Sequence, residues 1–270
     1  MHEFRVRRLP ELGLETVRAR SARRFDRHTH EQFGIGIVTE GAQRSASCAG
    51  VVEAQQGDVI TVHPGEVHDG ASLGSQARAW HMLYLDPAVV GDITLDRTEG
   101  AGGDYEFRSP VVRSTQLFGQ CRQLLTHTAA APTPDALESL LITVLGDASR
   151  RADPPRATPS AKASAGITRA LTLMRDAPGA PITLAELASE ADLSRYQLIR
   201  GVRAATGLTP HAYLVQCRVH LARRLIRDGM PLIDTAQACG FTDQSHLNRA
   251  FARRFGLTPG AYAAAAAATT

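Results

Sequence analysis

The stretch that decides the fold is residues 240–259, GFTDQSHLNRAFARRFGLTP. Leu247, Phe251 and Phe255 recur at four-residue intervals, so one face of this segment is apolar when it coils into a helix, and Gly256 is placed to close it in a left-handed conformation. Thr258-Pro259 then opens another helix, because proline is tolerated at the first helical position, where its missing amide hydrogen costs nothing. The final GLTP also stands at 207–210, and after two further residues each copy carries a tyrosine, Tyr213 and Tyr262. A chain that writes one small device twice invites a search outward for the rest of the repeat.

The first copy begins at Thr183, with Glu186 three residues on, the spacing of a capping box that satisfies orphan amide donors at a helix start. After LAELASEA comes a break at ADL, and Ser194 is the expected cap of a second helix, RYQLIRGVRAAT, which Gly207 closes. Thr209-Pro210 opens a longer helix to about Asp228, ended by Gly229. The second copy follows with PLIDTAQA, a turn at Gly240, Thr242 as the expected cap, and DQSHLNRAFARRF. An offset of 49 pairs Leu198 with Leu247, Arg200 with Arg249, Val202 with Phe251 and Gly207 with Gly256. An offset of 48 pairs Leu184 with Leu232, Ala188 with Ala236 and Leu193 with Phe241, so one residue is inserted at the second turn. Short helix, tight turn, second helix, with alanine where two helices cross closely, is the make-up of a helix-turn-helix, whose second helix fits the DNA major groove.

Charge supports the same reading. The chain's net charge of +3 hides a division: residues 1–160 hold 17 Lys+Arg against 20 Asp+Glu, whereas residues 161–270 hold 13 against 7. Positive charge gathered where the repeat lies is the footprint of a polyanion partner, although a solvated basic face would look alike. No run approaches the ~18 apolar residues of a membrane span, and MHEFRVRRLPELGLE lacks the apolar run of a signal peptide, so the expected location is the cytoplasm, with no membrane partner. Cys48, Cys121, Cys217 and Cys239 are scattered with no CxxC pair, which argues against a disulfide framework or a structural zinc clip.

At this point the residues carry a resemblance. IDTAQACGFTDQSHLNRAFARRFGLTPGAY (233–262) is similar to the signature of AraC-type (AraC/XylS) transcription regulators, and LAELASEADLSRYQLIRGVRAATGLTPHAYLVQCRVHLARRLI (184–226) resembles the preceding half of that family's DNA-binding domain. The resemblance implies two recognition helices held by the long helix from Pro210, reading successive major grooves of double-stranded promoter DNA about 34 Å apart. Carried over by position, the base-facing candidates are Arg195, Tyr196, Gln197 and Arg200 in the first copy, and Gln244, Ser245, His246, Asn248 and Arg249 in the second. Arginine pairs bidentately with guanine, and Gln or Asn with adenine. Arg203, Arg253 and Arg254 are assigned to phosphates, while Leu198, Val202, Leu247, Phe251 and Phe255 go to the core. The sequence departs from the family at Ile199, where a long polar side chain is usual. The family also implies a homodimer that meets RNA polymerase.

Ahead of RRADPPRATPSAKASAG (150–166), too poor in large apolar groups to order itself, the chain changes character. Short runs such as FGIGIV, GDVITV and RAWHMLYL, broken by turn residues, predict an all-β sandwich or barrel. From 113 to 150 the spacing of Leu117, Cys121, Leu124 and Leu125, then of Leu137, Leu140, Leu141, Val144 and Leu145, predicts an antiparallel helix pair that either covers the β-domain or meets a second subunit. RHTHEQFGIGIVTEGAQR and GDVITVHPGEVHDG, with the single Trp80, resemble the cupin-like sensor domain attached to many AraC-type proteins, which implies a small effector in the barrel. His28, His30 and His68, with Glu40 and Trp80, are the candidate ligand-binding residues. The three histidines also have the arrangement of a metal site for an ion such as zinc, although Ile35 stands where metal-binding cupins place a carboxylate; the alternative is that they hydrogen-bond structurally or line the pocket. His63 and His81 are assigned structural roles.

The expected architecture is therefore α+β in two domains. Residues 1–112 form a double-stranded, cupin-like β-barrel, 113–150 a helix pair, 151–165 a linker, and 166–270 an all-α domain with two helix-turn-helix units. The expected function is a ligand-responsive transcription regulator without catalysis or a required cofactor. A cupin enzyme and an architectural DNA binder are the competing classes.

Overall fold

The computed structural model describes residues 2–47, 50–74, 76–97, 105–129, 134–149 and 165–267. Cys48 and nearly all of the expected linker lie outside them. The chain divides into two compact units, which the described residues enter as 2–149 with 265–267, and 165–264.

In the first unit β1 (Glu3–Leu9), β2 (Leu14–Ser21), β3 (Phe25–His28), β4 (Phe33–Glu40), β5 (Ala42–Ser47), β6 (Gly50–Gln55), β7 (Val59–Val62), β8 (His68–Ser72) and β9 (Arg78–Leu85) precede the helix α1 (Pro87–Arg97). The short β10 (Val111–Val112) and the helices α2 (Thr115–Ala129) and α3 (Pro134–Ala148) follow. The pairings are antiparallel and fall in two sheets, β1-β2-β9-β4-β7-β10 and β3-β8-β5-β6. The two strands before residue 25, and α1, were not read from the sequence.

Because successive side chains point to opposite faces of a strand, FGIGIV serves two cores at once. Ile35 and Ile37 join Val59, Leu83 and Leu85 against α2 and α3, whose Leu117, Leu124, Leu137, Val144 and Leu145 are buried there. Val38 lies in a second cluster with Ala54, Ile60 and Met82, packed by Val17, Trp80 and Tyr84. A side chain at Gly36 would run into the His81 carbonyl and Met82 of β9, so its absence lets these strands lie close. The helix pair of 113–150 thus spends its apolar stripe on the six-stranded sheet, each buried leucine contributing ~1.5–3 kcal/mol.

The second unit is helical: α4 (Ala165–Asp176), α5 (Leu184–Glu190), α6 (Arg195–Thr206), α7 (Pro210–Arg227), α8 (Leu232–Ala238), α9 (Gln244–Phe255) and α10 (Pro259–Ala267). α5–α6 and α8–α9 are the two expected helix-turn-helix copies. α7, 18 residues and so about 27 Å long, packs against α4, α6, α8 and α9 and buries Leu214, Val219, Ala222 and Ile226.

Candidate nucleic-acid interface and effector site

Local capping chemistry fixes where each recognition helix starts. At α5, the Thr183 hydroxyl accepts from the Glu186 amide while the Glu186 carboxylate accepts from the Thr183 amide. At α6, Ser194 and Gln197 make the same reciprocal pair. α9 is capped differently from the expectation: Asp243, not Thr242, has the extended backbone and accepts from the His246 amide at 2.6 Å. Thr242 is the extra residue of the second turn; one position further from the helix, it is out of register with the amides a cap must reach. Gly207 (φ 70°) and Gly256 (φ 76°) close α6 and α9 in the left-handed region.

Leu198 and Val202 of α6, and Leu247 and Phe251 of α9, are fully buried, which fixes the faces left outward. On α6 these carry Arg195, Tyr196, Gln197, Ile199, Arg200 and Arg203, all exposed. Tyr196 is 68% exposed and the Arg200 guanidinium lies 5.5 Å from its ring, an adjacency that orients both toward solvent. Gln197 is exposed but its Oε1 is held by the Ser194 amide at 2.9 Å, so a bidentate pair with adenine would compete with that cap bond for the oxygen. On α9, Ser245, Arg249 and Arg253 are exposed and Gln244, His246 and Asn248 half-buried. The His246 ring meets the edge of Phe241, 5.1 Å away, and the Asn248 side-chain oxygen is buried without a hydrogen-bond partner. Arg254, assigned to phosphate from the sequence, turns inward: its Nε donates to Gln216 on α7 at 3.0 Å and an Nη to the Ala250 carbonyl at 3.1 Å.

Two arginines escaped sequence reading. Arg169 of α4 donates to the Glu190 and Ala191 carbonyls at the end of α5. Arg218 of α7 donates to the Gly240 carbonyl in the second turn (2.8 Å), and also to Pro178 (2.9 Å) and Ala180 between α4 and α5. They stand 49 residues apart, so extending the repeat's offset backward would have found them.

In the first unit, His28 and His68 are cross-strand partners on β3 and β8, and the His30 carbonyl accepts from the Gly65 amide, tying the two loops together. The rings of His28, His30 and His68 lie 4.4–5.1 Å apart, centroid to centroid, and a ligand nitrogen from each falls within 4.8 Å of the others. His28 and His30 are buried. Burial also holds the His68 ring below the usual imidazole range. Tyr84 of β9 stacks near His30 at 4.7 Å, so the cluster faces the space between the two sheets.

The remaining candidates are placed elsewhere. Glu40, kept as a possible ligand from the sequence, is exposed at the end of β4 and pairs with Arg20 at 2.9 Å, because the ladder slips between Val38 and Glu40 and turns it outward. Trp80 sits edge-on to Phe4 and Phe25, with the buried Arg78 guanidinium 4.7 Å over its ring. His63 accepts from the Phe107 amide, and half-buried His81 is pushed down to about 4 by desolvation and by the neighbouring Arg18, and stays neutral. Among the described residues no helix is long and apolar enough to cross a membrane.

Paired helix-turn-helix copies with arginine-bearing outward faces, joined to a sheet-rich domain with a buried polar cluster, define a DNA-binding protein that carries a separate ligand-binding domain. Residues 11–145 match the AraC-like ligand binding domain and residues 187–265 a helix-turn-helix domain; the chain belongs to the AraC family of transcription regulators. It is 24% identical over 242 residues to YbfI, an uncharacterized HTH-type transcriptional regulator of Bacillus subtilis (strain 168), spanning 88% of this chain and 87% of that one. It is 26% identical over 255 residues to the transcriptional activator RhaS of Pectobacterium carotovorum subsp. carotovorum (strain PC1), spanning 87% and 86%. ToxT from Vibrio cholerae O395 shares the fold, with a TM-score of 0.60 at 11% identity over 94% of this chain and 98% of that one. YbfI and RhaS both carry the name of HTH-type transcriptional regulators.

Proposed function

We propose that the chain controls transcription by seating α6 and α9 in successive major grooves of promoter DNA, with occupancy set by a small effector held in the N-terminal domain. One observation carries this reading: the two helices start from caps at equivalent positions and have matched buried faces, yet present Arg195, Tyr196 and Arg200 on one and Gln244, Ser245 and Arg249 on the other. Two readers on one rigid connector lengthen the site, each good bidentate base contact adding ~1–3 kcal/mol of discrimination. Arg203 and Arg253, exposed further along the same helices, are placed to neutralise phosphates. The regulator works in the cytoplasm as a homodimer, which doubles the DNA contacted, and meets RNA polymerase at the promoter.

The effector acts by preferring one arrangement of the chain over another, since a ligand shifts an equilibrium only by its difference in affinity for the two states. The test is selection of binding sites from random duplex DNA by the full chain, followed by mobility shifts of the selected site with Arg200→Ala and Arg249→Ala. A selected site with two subsites one helical turn apart, each losing base preference with one of these variants, is the expected outcome. Binding unchanged by both variants would overturn the assignment of α6 and α9.

A further inference from the structure

We propose that His28, His30 and His68 form a binding site for a divalent transition-metal ion of the zinc class, with coordination left open to a small donor molecule.

The argument begins with proton positions. His28 Nδ1 lies 2.7 Å from the Asp26 carbonyl oxygen and His68 Nδ1 lies 3.1 Å from that of Glu66. A carbonyl oxygen accepts and never donates, so in both rings Nδ1 carries the hydrogen and the lone pair belongs to Nε2. This is the arrangement by which backbone carbonyls orient metal-ligating imidazoles, fixing tautomer and ring direction before any ion arrives. Each bond spans two residues within its own segment, so the backbone that forms β3 and enters β8 also sets the ring.

The second step is convergence. His28 and His68 are opposed directly across the β3–β8 ladder, and the Gly65 amide, bonded to the His30 carbonyl at 2.7 Å, brings the third ring to the same place. A zinc ion stands ~2.0–2.1 Å from each imidazole nitrogen, so its ligands lie within about 4 Å of one another. The ligand atoms here lie within 4.8 Å of one another, close to that spacing before any ion is bound.

The third step is chemistry. Neutral imidazoles suit zinc, copper, nickel and iron, whereas magnesium and calcium require oxygen donors, and the two nearby carboxylates are engaged elsewhere: Glu66 accepts from the His63 amide at 3.1 Å and lies 3.4 Å from the His63 ring, and Asp69 accepts from the Ala46 amide at 2.7 Å. Three neutral ligands leave the ion its full double charge and at least one position for water or a small anionic or neutral donor. With Glu40 turned to solvent, the protein itself supplies no fourth carboxylate from β4.

The experiment uses the full chain, stripped of metal with a chelator, and cobalt(II) as a coloured stand-in for zinc. Wild type is expected to bind one equivalent with the intense visible absorption of a four-coordinate ion, and zinc is expected to displace it. His30→Gln and His68→Gln are each expected to weaken binding about 100-fold or more, while His127→Gln on α2 leaves it unchanged. Circular dichroism and melting curves establish that the variants fold. Should either variant fail to fold, wild type alone decides: cobalt is expected to shift imidazole N–H resonances from three histidines far outside the normal proton range. Absence of stoichiometric binding, or a site that survives both variants, would overturn the proposal. Because no DNA or effector enters the measurement, that failure would leave the DNA-binding reading untouched.

Discussion

At the turn between its two helices the first copy holds Asp192 at φ 55° and the second holds Gly240 at φ 71°, one backbone shape reached with two residue types. Aspartate tolerates the left-handed region at a modest cost, and glycine does so freely. The turns also differ in length by Thr242 and the caps in kind, Ser194 with Gln197 against Asp243 alone. Position for position, Arg195, Tyr196, Gln197 and Ile199 face Gln244, Ser245, His246 and Asn248 in the other copy, whereas Arg200 and Arg249 agree. Backbone plan and buried residues are held, while the outward chemistry has diverged. That division teaches that the two copies are one scaffold presenting two chemically different outward faces.

The comparison breaks most visibly at the turn. Gly240→Val places a β-branched side chain at positive φ, against the Gly179 carbonyl 2.7 Å from where its Cβ would fall, and is expected to cost on the order of 2–4 kcal/mol. Asp192→Gly, the matching change in the first copy, is expected to alter stability by less than about 0.5 kcal/mol, relief of strain offsetting the looser unfolded chain. Thermal melts of both variants measure the contrast; equal losses would mean the turns are not equivalent. Next in size, Arg200→Ala and Arg249→Ala should each relax preference at a different base pair by ~1–3 kcal/mol, read by competition with single-base variants of the selected site. A common affected position would show that one copy alone reads DNA.

Smaller still, Asp243→Ala should lower stability by about 1 kcal/mol through loss of the cap, and Ser194→Ala by a similar amount through loss of the hydroxyl that accepts from the Gln197 amide. Denaturant titration separates them from an exposed control such as Ala204→Ser. The finest distinction lies between adjacent arginines. Arg253→Ala is expected to reduce the slope of log affinity against log salt by about 1, whereas Arg254→Ala, which removes the bond from α9 to Gln216 of α7, should act mainly on stability. Salt series on the two variants check this, and a full unit of slope lost with Arg254 would return it to the phosphate contacts.

The helical half was legible because its signals are local. Thr183 with Glu186, Ser194 with Gln197, and glycine at 207 and 256 act within one turn of helix, so residue types at fixed offsets suffice. The exception, Thr242 for Asp243, arose where a residue is inserted and two candidate caps are adjacent. The sheet half was legible in kind and not in wiring. That β2 (14–21) pairs with β9 (78–85) is decided by packing across the whole domain, and β1, with its exposed arginines, gives little hydrophobic signal. His28, His30 and His68 were visible from the His-x-His spacing and the Pro-Gly turn; Glu40 was misplaced because a slip in the ladder is invisible in composition.

Arg218 is bonded at once to the second turn and to the segment before α5, and that single side chain has a consequence for the operator. One base pair added between two subsites swings the farther one about 34–36° around the duplex axis and moves it ~3.4 Å along. A clamped pair of readers has no hinge with which to follow such a rotation. The genes under this regulator should therefore share an invariant gap length in their control regions, even where the letters filling that gap differ.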